Sequence, residues 1–143
     1  MCIAYLAYQI SLEWPIIMAT NRDEFHARPS LAAAPWSHAP SILGGLDLMA
    51  GGTWLAAHQD GRVACLTNYR EPKSEQGQAP SRGHLISRYL QAEQGALRYL
   101  QEVQQQAAQY NGFNIILGDA QHLYYFSNKQ DQIHPLESGH HVL

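Results

Sequence analysis

A cysteine at position 2, directly behind an initiator methionine, can hold two functional groups at once. Methionine is trimmed when the second residue is small, and trimming here leaves a thiol and a free α-amine on one residue. Their reference pKa values, about 8.5 and about 7.7–8.0, let the amine take the thiol proton near neutral pH, directly or through a water. Nucleophile and general base then both come from Cys2. That pair suits attack on an amide or thioester carbonyl, giving an acyl-enzyme that water resolves. The plainer alternative is a small side chain buried on an edge strand, where thiols sit without doing chemistry.

Four strongly polar residues, Asn21-Arg22-Asp23-Glu24, follow an apolar stretch without a break. A solvated turn would account for them. A hairpin that returns the end of a second strand to the start of the first would instead place them beside Cys2. Asp23 can then hold the α-amine, and Arg22 can bind an acyl, carboxylate or phosphate oxygen through paired N–H donors. Asn68 closes the run Ala64-Cys65-Leu66-Thr67. A side-chain amide there can donate to a developing oxyanion, a contribution of ~2.7–4 kcal/mol to a barrier; a turn-capping asparagine is the alternative. Trp54 is most simply a core aromatic. Asp23, Glu24 and Asp47 could pair for glycoside hydrolysis, but chain spacing does not set their separation. The eight histidines show no HExxH-type spacing, and neither Cys2 nor Cys65 sits in a zinc-type Cys pair. Gly44-Gly45 and Gly51-Gly52 lack the Gly-Lys-Ser/Thr of a phosphate loop. No metal and no cofactor is expected.

These candidates need a scaffold. The chain has 143 residues, 45% hydrophobic and 15% charged, which suits one domain with a core. A net charge of −3 without a Lys/Arg cluster argues against nucleic acid as a partner. Apolar runs such as Ile3–Tyr8 are too short to cross a bilayer, and no secretory signal is legible. Two cysteines and no glycosylation sequon fit a reducing cytoplasm. Nothing in the composition speaks to oligomeric state.

The patterning predicts strands over Cys2–Ile10 and Pro15–Thr20, antiparallel and adjacent. An Ala- and Pro-rich loop is expected from Arg28 to about Ser41, then a short strand over Ile42–Asp47. Gly51-Gly52 permits a tight bend. Thr53–His58 and Arg62–Asn68 form a hairpin around Asp60-Gly61, and Tyr69–Arg82 is a polar loop. Two helices follow, one burying Leu85, Ile86, Tyr89 and Leu90, the other Leu97, Leu100, Val103 and Ala107, with Gly95 between them. Strands return over Phe113–Leu117, Leu123–Phe126 and Ile133–Leu136. Strands, helices, strands is the order of a layered α/β (α+β) domain with mostly antiparallel sheets.

Several motifs together resemble the NRDE family, the transport and Golgi organization protein 2 family. They are Met1-Cys2-Ile3, Asn21-Arg22-Asp23-Glu24-Phe25, Arg28-Pro29, Gly45-Leu46-Asp47, Gly51-Gly52-Thr53-Trp54-Leu55, Leu66-Thr67-Asn68-Tyr69, Arg82-Gly83 and Tyr110-Asn111-Gly112-Phe113-Asn114. Ala56 departs from the glycine that commonly follows Trp-Leu. The resemblance implies an N-terminal-nucleophile-hydrolase-like αββα sandwich, of which residues 1–143 are the N-terminal part of a single domain. It implies a longer protein whose next block, Gly-Leu-Ser-Asn, falls beyond Leu143. More distantly, the chain is similar to bile-salt hydrolases and penicillin V acylases. By that similarity Cys2 is the nucleophile, Asp23 orients the amine and Asn68 is one oxyanion donor. Thr20 stands where those enzymes have an arginine, so their substrate contacts do not transfer. The ligand-binding candidates are Asn21, Arg22, Glu24, Trp54, Tyr69 and Arg70. Two functions follow: a cysteine amidohydrolase or thioester hydrolase, or a non-catalytic binding or trafficking protein for a lipid, acyl-CoA or haem-like ligand.

Overall fold

The computed structural model describes residues 2–69 and 79–143. β1 (Ala4–Tyr8) and β2 (Ile16–Thr20) pair antiparallel, with Ala4 opposite Thr20 and Tyr8 opposite Ile16. The seven-residue connection keeps these strands close in space and favours their pairing, as the sequence predicts. β10 (Gly139–Val142) adds to the other side of β1, giving a three-stranded sheet in the order β10-β1-β2.

The second sheet has seven strands, β3 (Ser30–Trp36), β4 (Ala39–Asp47), β5 (Leu55–His58), β6 (Val63–Asn68), β7 (Phe113–Gly118), β8 (Leu123–Ser127) and β9 (Gln132–Pro135), in sequence order and all antiparallel. The expected hairpin around Asp60-Gly61 is β5–β6. One expectation is overturned here. The Ala- and Pro-rich segment is not a loop but strand β3, and β4 begins at Ala39 rather than Ile42. β3 forms the sheet edge, where Pro35 costs no ladder hydrogen bond, and it is exposed from Ser30 to Pro35.

Two helices connect β6 to β7. α1 (Gly83–Gln91) buries Leu85, Ile86, Tyr89 and Leu90, the face that periodicity predicts. α2 (Ala96–Gln106) buries Tyr99, Leu100 and Val103, with Ala107 just beyond it. Leu97 is not in that stripe and is 42% exposed. At about 100° per residue it lies well off the line through Ala96, Leu100, Val103 and Ala107. Both helices pack on one face of the seven-stranded sheet against Ile42, Ala64, Ile115, Leu117 and Phe126. The opposite face meets the small sheet through Leu6, Tyr8, Ile116 and Leu123.

The result is a mixed α+β sandwich of three layers: helices, large sheet, small sheet. The fourth layer of the expected αββα arrangement is absent from the described residues. The outer face of the small sheet consequently exposes Ile3, Tyr5, Ile17 and Val142. Among the described residues no helix is long and apolar enough to cross a membrane.

Candidate functional site

The β1–β2 pairing carries the polar segment back to Cys2. The Ile3 N–H donates to Asn21 Oδ1 at 2.7 Å, and the Asn21 N–H donates to the Ile3 carbonyl at 3.2 Å. The Thr20 hydroxyl donates to the same carbonyl at 2.9 Å. Three hydrogen bonds therefore lock the backbone next to Cys2 against the start of the Asn21–Glu24 segment.

Cys2 is half-buried and opens into a cavity of about 390 Å³. Its walls include Asn21, Arg22, Asp23 and Glu24 from the segment after β2, Trp54 ahead of β5, and Leu66 and Asn68 from β6. Seven of the nine candidates thus share one cavity. Tyr69 does not line it. Successive strand residues point to opposite faces, so with Leu66 and Asn68 facing the cavity the next residue faces away; Tyr69 is 45% exposed. Arg70 lies outside the described residues. The cavity also recruits Arg28, Asp47, Ser81, Arg82 and Asn111. The sequence offers Asp47 only as a carboxylate that could pair with Asp23 or Glu24, and none of the others as a site residue, although Arg28-Pro29, Gly45-Leu46-Asp47, Arg82-Gly83 and Asn111 all fall within the family-like motifs. That clustering was the available signal.

Arg28 is the hub of the charged wall. Its Nε and Nη2 donate to Asp47 Oδ2 at 2.9 and 2.6 Å, and Nη1 reaches Glu24 Oε2 at 3.4 Å. Asp47 Oδ1 accepts from the Met49 N–H at 3.0 Å. Burial would raise the Asp47 carboxyl, but Arg28 and the backbone N–H groups of Met49 and Ala50 outweigh it and hold the pKa below the usual value. The Asn21–Glu24 segment is thereby tied to the end of β4.

Arg22 is held differently. Its guanidinium carbon stands 5.1 Å from the centre of the Trp54 ring. The ring in turn lies on the backbone of β4 at Gly45, where a Cβ would come within 2.7 Å of Trp54 Cη2. Gly52 makes a second close approach, to Gly83, where a Cβ would stand 2.5 Å from the carbonyl carbon. That contact brings the start of α1, with Arg82, to the cavity.

Cys65, opposite Leu55 and Ile116 in the large sheet, is a buried free thiol rather than a disulfide partner of Cys2. Burial pushes its pKa up to about 11, Cys2 nearby adds to the rise and the Thr20 hydroxyl opposes it. At neutral pH it is a protonated, inert core group. Among the described residues no three His, Cys, Asp or Glu side chains gather to hold a metal ion.

Fold and site together define an antiparallel α+β sandwich with a thiol-lined polar cavity at the end of its first hairpin. The chain belongs to the Transport and Golgi organisation 2 family, whose family model matches residues 1–143. It is 45% identical over 107 residues to the mouse (Mus musculus) Transport and Golgi organization 2 homolog, covering 73% of this chain and 38% of that protein. It is 43% identical over 107 residues to the human (Homo sapiens) homolog, with the same coverage. With the Drosophila melanogaster protein it shares 37% over 113 residues, 72% of this chain and 39% of the relative. The matched stretch is therefore less than two fifths of these relatives.

Proposed function

We propose that this chain carries the nucleophile of an N-terminal-nucleophile cysteine hydrolase acting on small amides or thioesters. One observation carries the proposal: Cys2, Asp23 and Asn68 line the same cavity although they come from three separated stretches of chain. With Met1 removed, the Cys2 amine takes the thiol proton, steadied by Asp23. The thiolate attacks the carbonyl carbon, and the Asn68 amide donates to the oxygen as it becomes negative. The bond to the leaving amine or thiol then breaks, and the leaving group takes the proton from the Cys2 ammonium. Water, deprotonated by the same amine, attacks the acyl thioester, releasing the acid and restoring the thiol. The resemblance puts the second oxyanion donor in the Gly-Leu-Ser-Asn block, so turnover belongs to a chain that includes it. A reducing cytoplasm accords with two free thiols.

A non-catalytic reading shares the cavity. The relatives are named for transport and Golgi organisation rather than for a reaction. A lipid, acyl-CoA or haem-like ligand could be held by the same walls without a free Cys2 amine. Intact mass after incubation with acyl amides and thioesters separates the two. Loss of Met1, an acyl adduct on Cys2 and turnover by the longer chain that vanishes in Cys2→Ala support the hydrolase. Ligand binding with Met1 retained and no adduct supports the carrier.

A further inference from the structure

The reaction above does not use Arg22, which lines the same cavity. Arg22 Nη2 is buried and, among the described residues, has no hydrogen-bond partner. A guanidinium N–H withdrawn from water without an acceptor is strongly disfavoured, and its persistence calls for an explanation. Arg22 has little freedom to relieve it, because its guanidinium carbon lies over the Trp54 ring and Trp54 is seated against Gly45. Arg28 cannot be mistaken for the same kind of group, since Asp47 and Glu24 satisfy it. The N-terminus of α1 opens onto the same cavity through Ser81 and Gly83, adding the partial positive charge of a helix start.

We propose that Arg22, held over Trp54, is a subsite for an anionic oxygen group, carboxylate or phosphate, on a small ligand whose acyl carbon lies at Cys2. The inference rests on the cavity being the ligand site and sharpens its substrate class from any amide or thioester to an anionic one. Size agrees, since about 390 Å³ is at the small end of ligand cavities. A guanidinium presents its N–H donors in a rigid planar fork that matches the oxygens of a carboxylate or phosphate.

The test reads protection of Cys2 from a neutral thiol reagent, iodoacetamide, by mass spectrometry of the Cys2 peptide. Three probes are compared: N-acetylglycine, its uncharged twin N-acetylglycinamide, and inorganic phosphate. N-acetylglycine or phosphate is expected to protect at a concentration at least tenfold lower than the neutral twin. Protection by N-acetylglycine alone assigns a carboxylate, and by phosphate alone a phosphate. Arg22→Gln should erase the preference and Arg22→Lys should keep part of it, with thermal melts confirming that both variants are folded. Equal protection by charged and neutral probes, protection by none, or a preference undiminished in Arg22→Gln overturns the proposal. Turnover is not read, so a failed hydrolase assay leaves this result standing, and a lost preference leaves the hydrolase reading standing.

Discussion

Asp47 shows how a residue away from Cys2 shapes the cavity around it. Its carboxylate holds Arg28, and through Arg28 the segment bearing Arg22 and Asp23. Both side chains are less than a third exposed, so the pair is only partly screened by water. Asp47→Asn is expected to cost about 1.5–3 kcal/mol at pH 7, the range for a hydrogen bond to a charged group. The pH dependence has a definite sign. The folded pKa is depressed below an unfolded value of about 3.9, so the stabilisation is complete above that pH and disappears as pH falls through the folded pKa. Urea unfolding of wild type and variant at pH 7 and pH 3 checks this. A gap that stays the same at pH 3 would assign the cost to packing rather than charge. Asp47 was visible in the sequence only as one of several carboxylates. Its role depends on Arg28, 19 residues away, which no local pattern connects to it.

Helix α1 illustrates the same dependence at the level of the element. Its apolar face is legible from periodicity, but its end is not. The last carbonyls of a helix have no partner within it. Here Arg62, from β5–β6, supplies them: Nη1 donates to Tyr89 and Ala92 at 2.9 and 2.6 Å, and Nη2 to Leu90 at 3.2 Å. Asp60 Oδ2 fixes the guanidinium through Nε at 2.8 Å, and Cζ stands 5.5 Å from the Tyr89 ring. Arg62→Gln is expected to lower stability by about 2 kcal/mol, since three carbonyls at the negative end of the helix dipole lose a cation. Lysine should recover only part of that, because one ammonium lacks the planar fork. Denaturant midpoints of the three proteins decide it, and an unchanged midpoint in Arg62→Gln would remove Arg62 as the helix cap. Strand β3 was illegible for a related reason. Exposed alanines carry no alternation, and the segment becomes a strand because the unpaired edge of β4 accepts it.

On the scale of the whole molecule, the small sheet is buried on one side only. Leu6 and Tyr8 are nearly inaccessible, while Ile3, Ile17 and Val142 are 50%, 45% and 69% exposed. An open apolar sheet face invites association. The double variant Ile17→Lys, Val142→Lys is expected to leave the melting temperature within a few degrees, because surface changes away from packed contacts move stability by about 0.5 kcal/mol or less. It should also cut the binding of an apolar fluorescent dye and raise the concentration at which light scattering begins. Unaltered dye binding would place the accessible apolar surface elsewhere, for example at Leu12 and Trp14 on the β1–β2 turn.

The chain by itself determined the elements whose information is local. The β1–β2 and β5–β6 hairpins, the buried face of α1 and the return to strand after the helices follow from periodicity and short connections. So does the meeting of Cys2 with Asn21–Glu24, because a tight hairpin must bring its two open ends together. Only the tertiary structure decided what crosses between elements. It folded Asn68 and Trp54 into the same cavity as Cys2 and turned Tyr69 away from it. It consumed Arg28 on Asp47 while leaving Arg22 Nη2 buried without an acceptor among the described residues. The two arginines look alike in the sequence. What separates them is burial and the direction of each hydrogen bond, and both exist only once the sheets have packed.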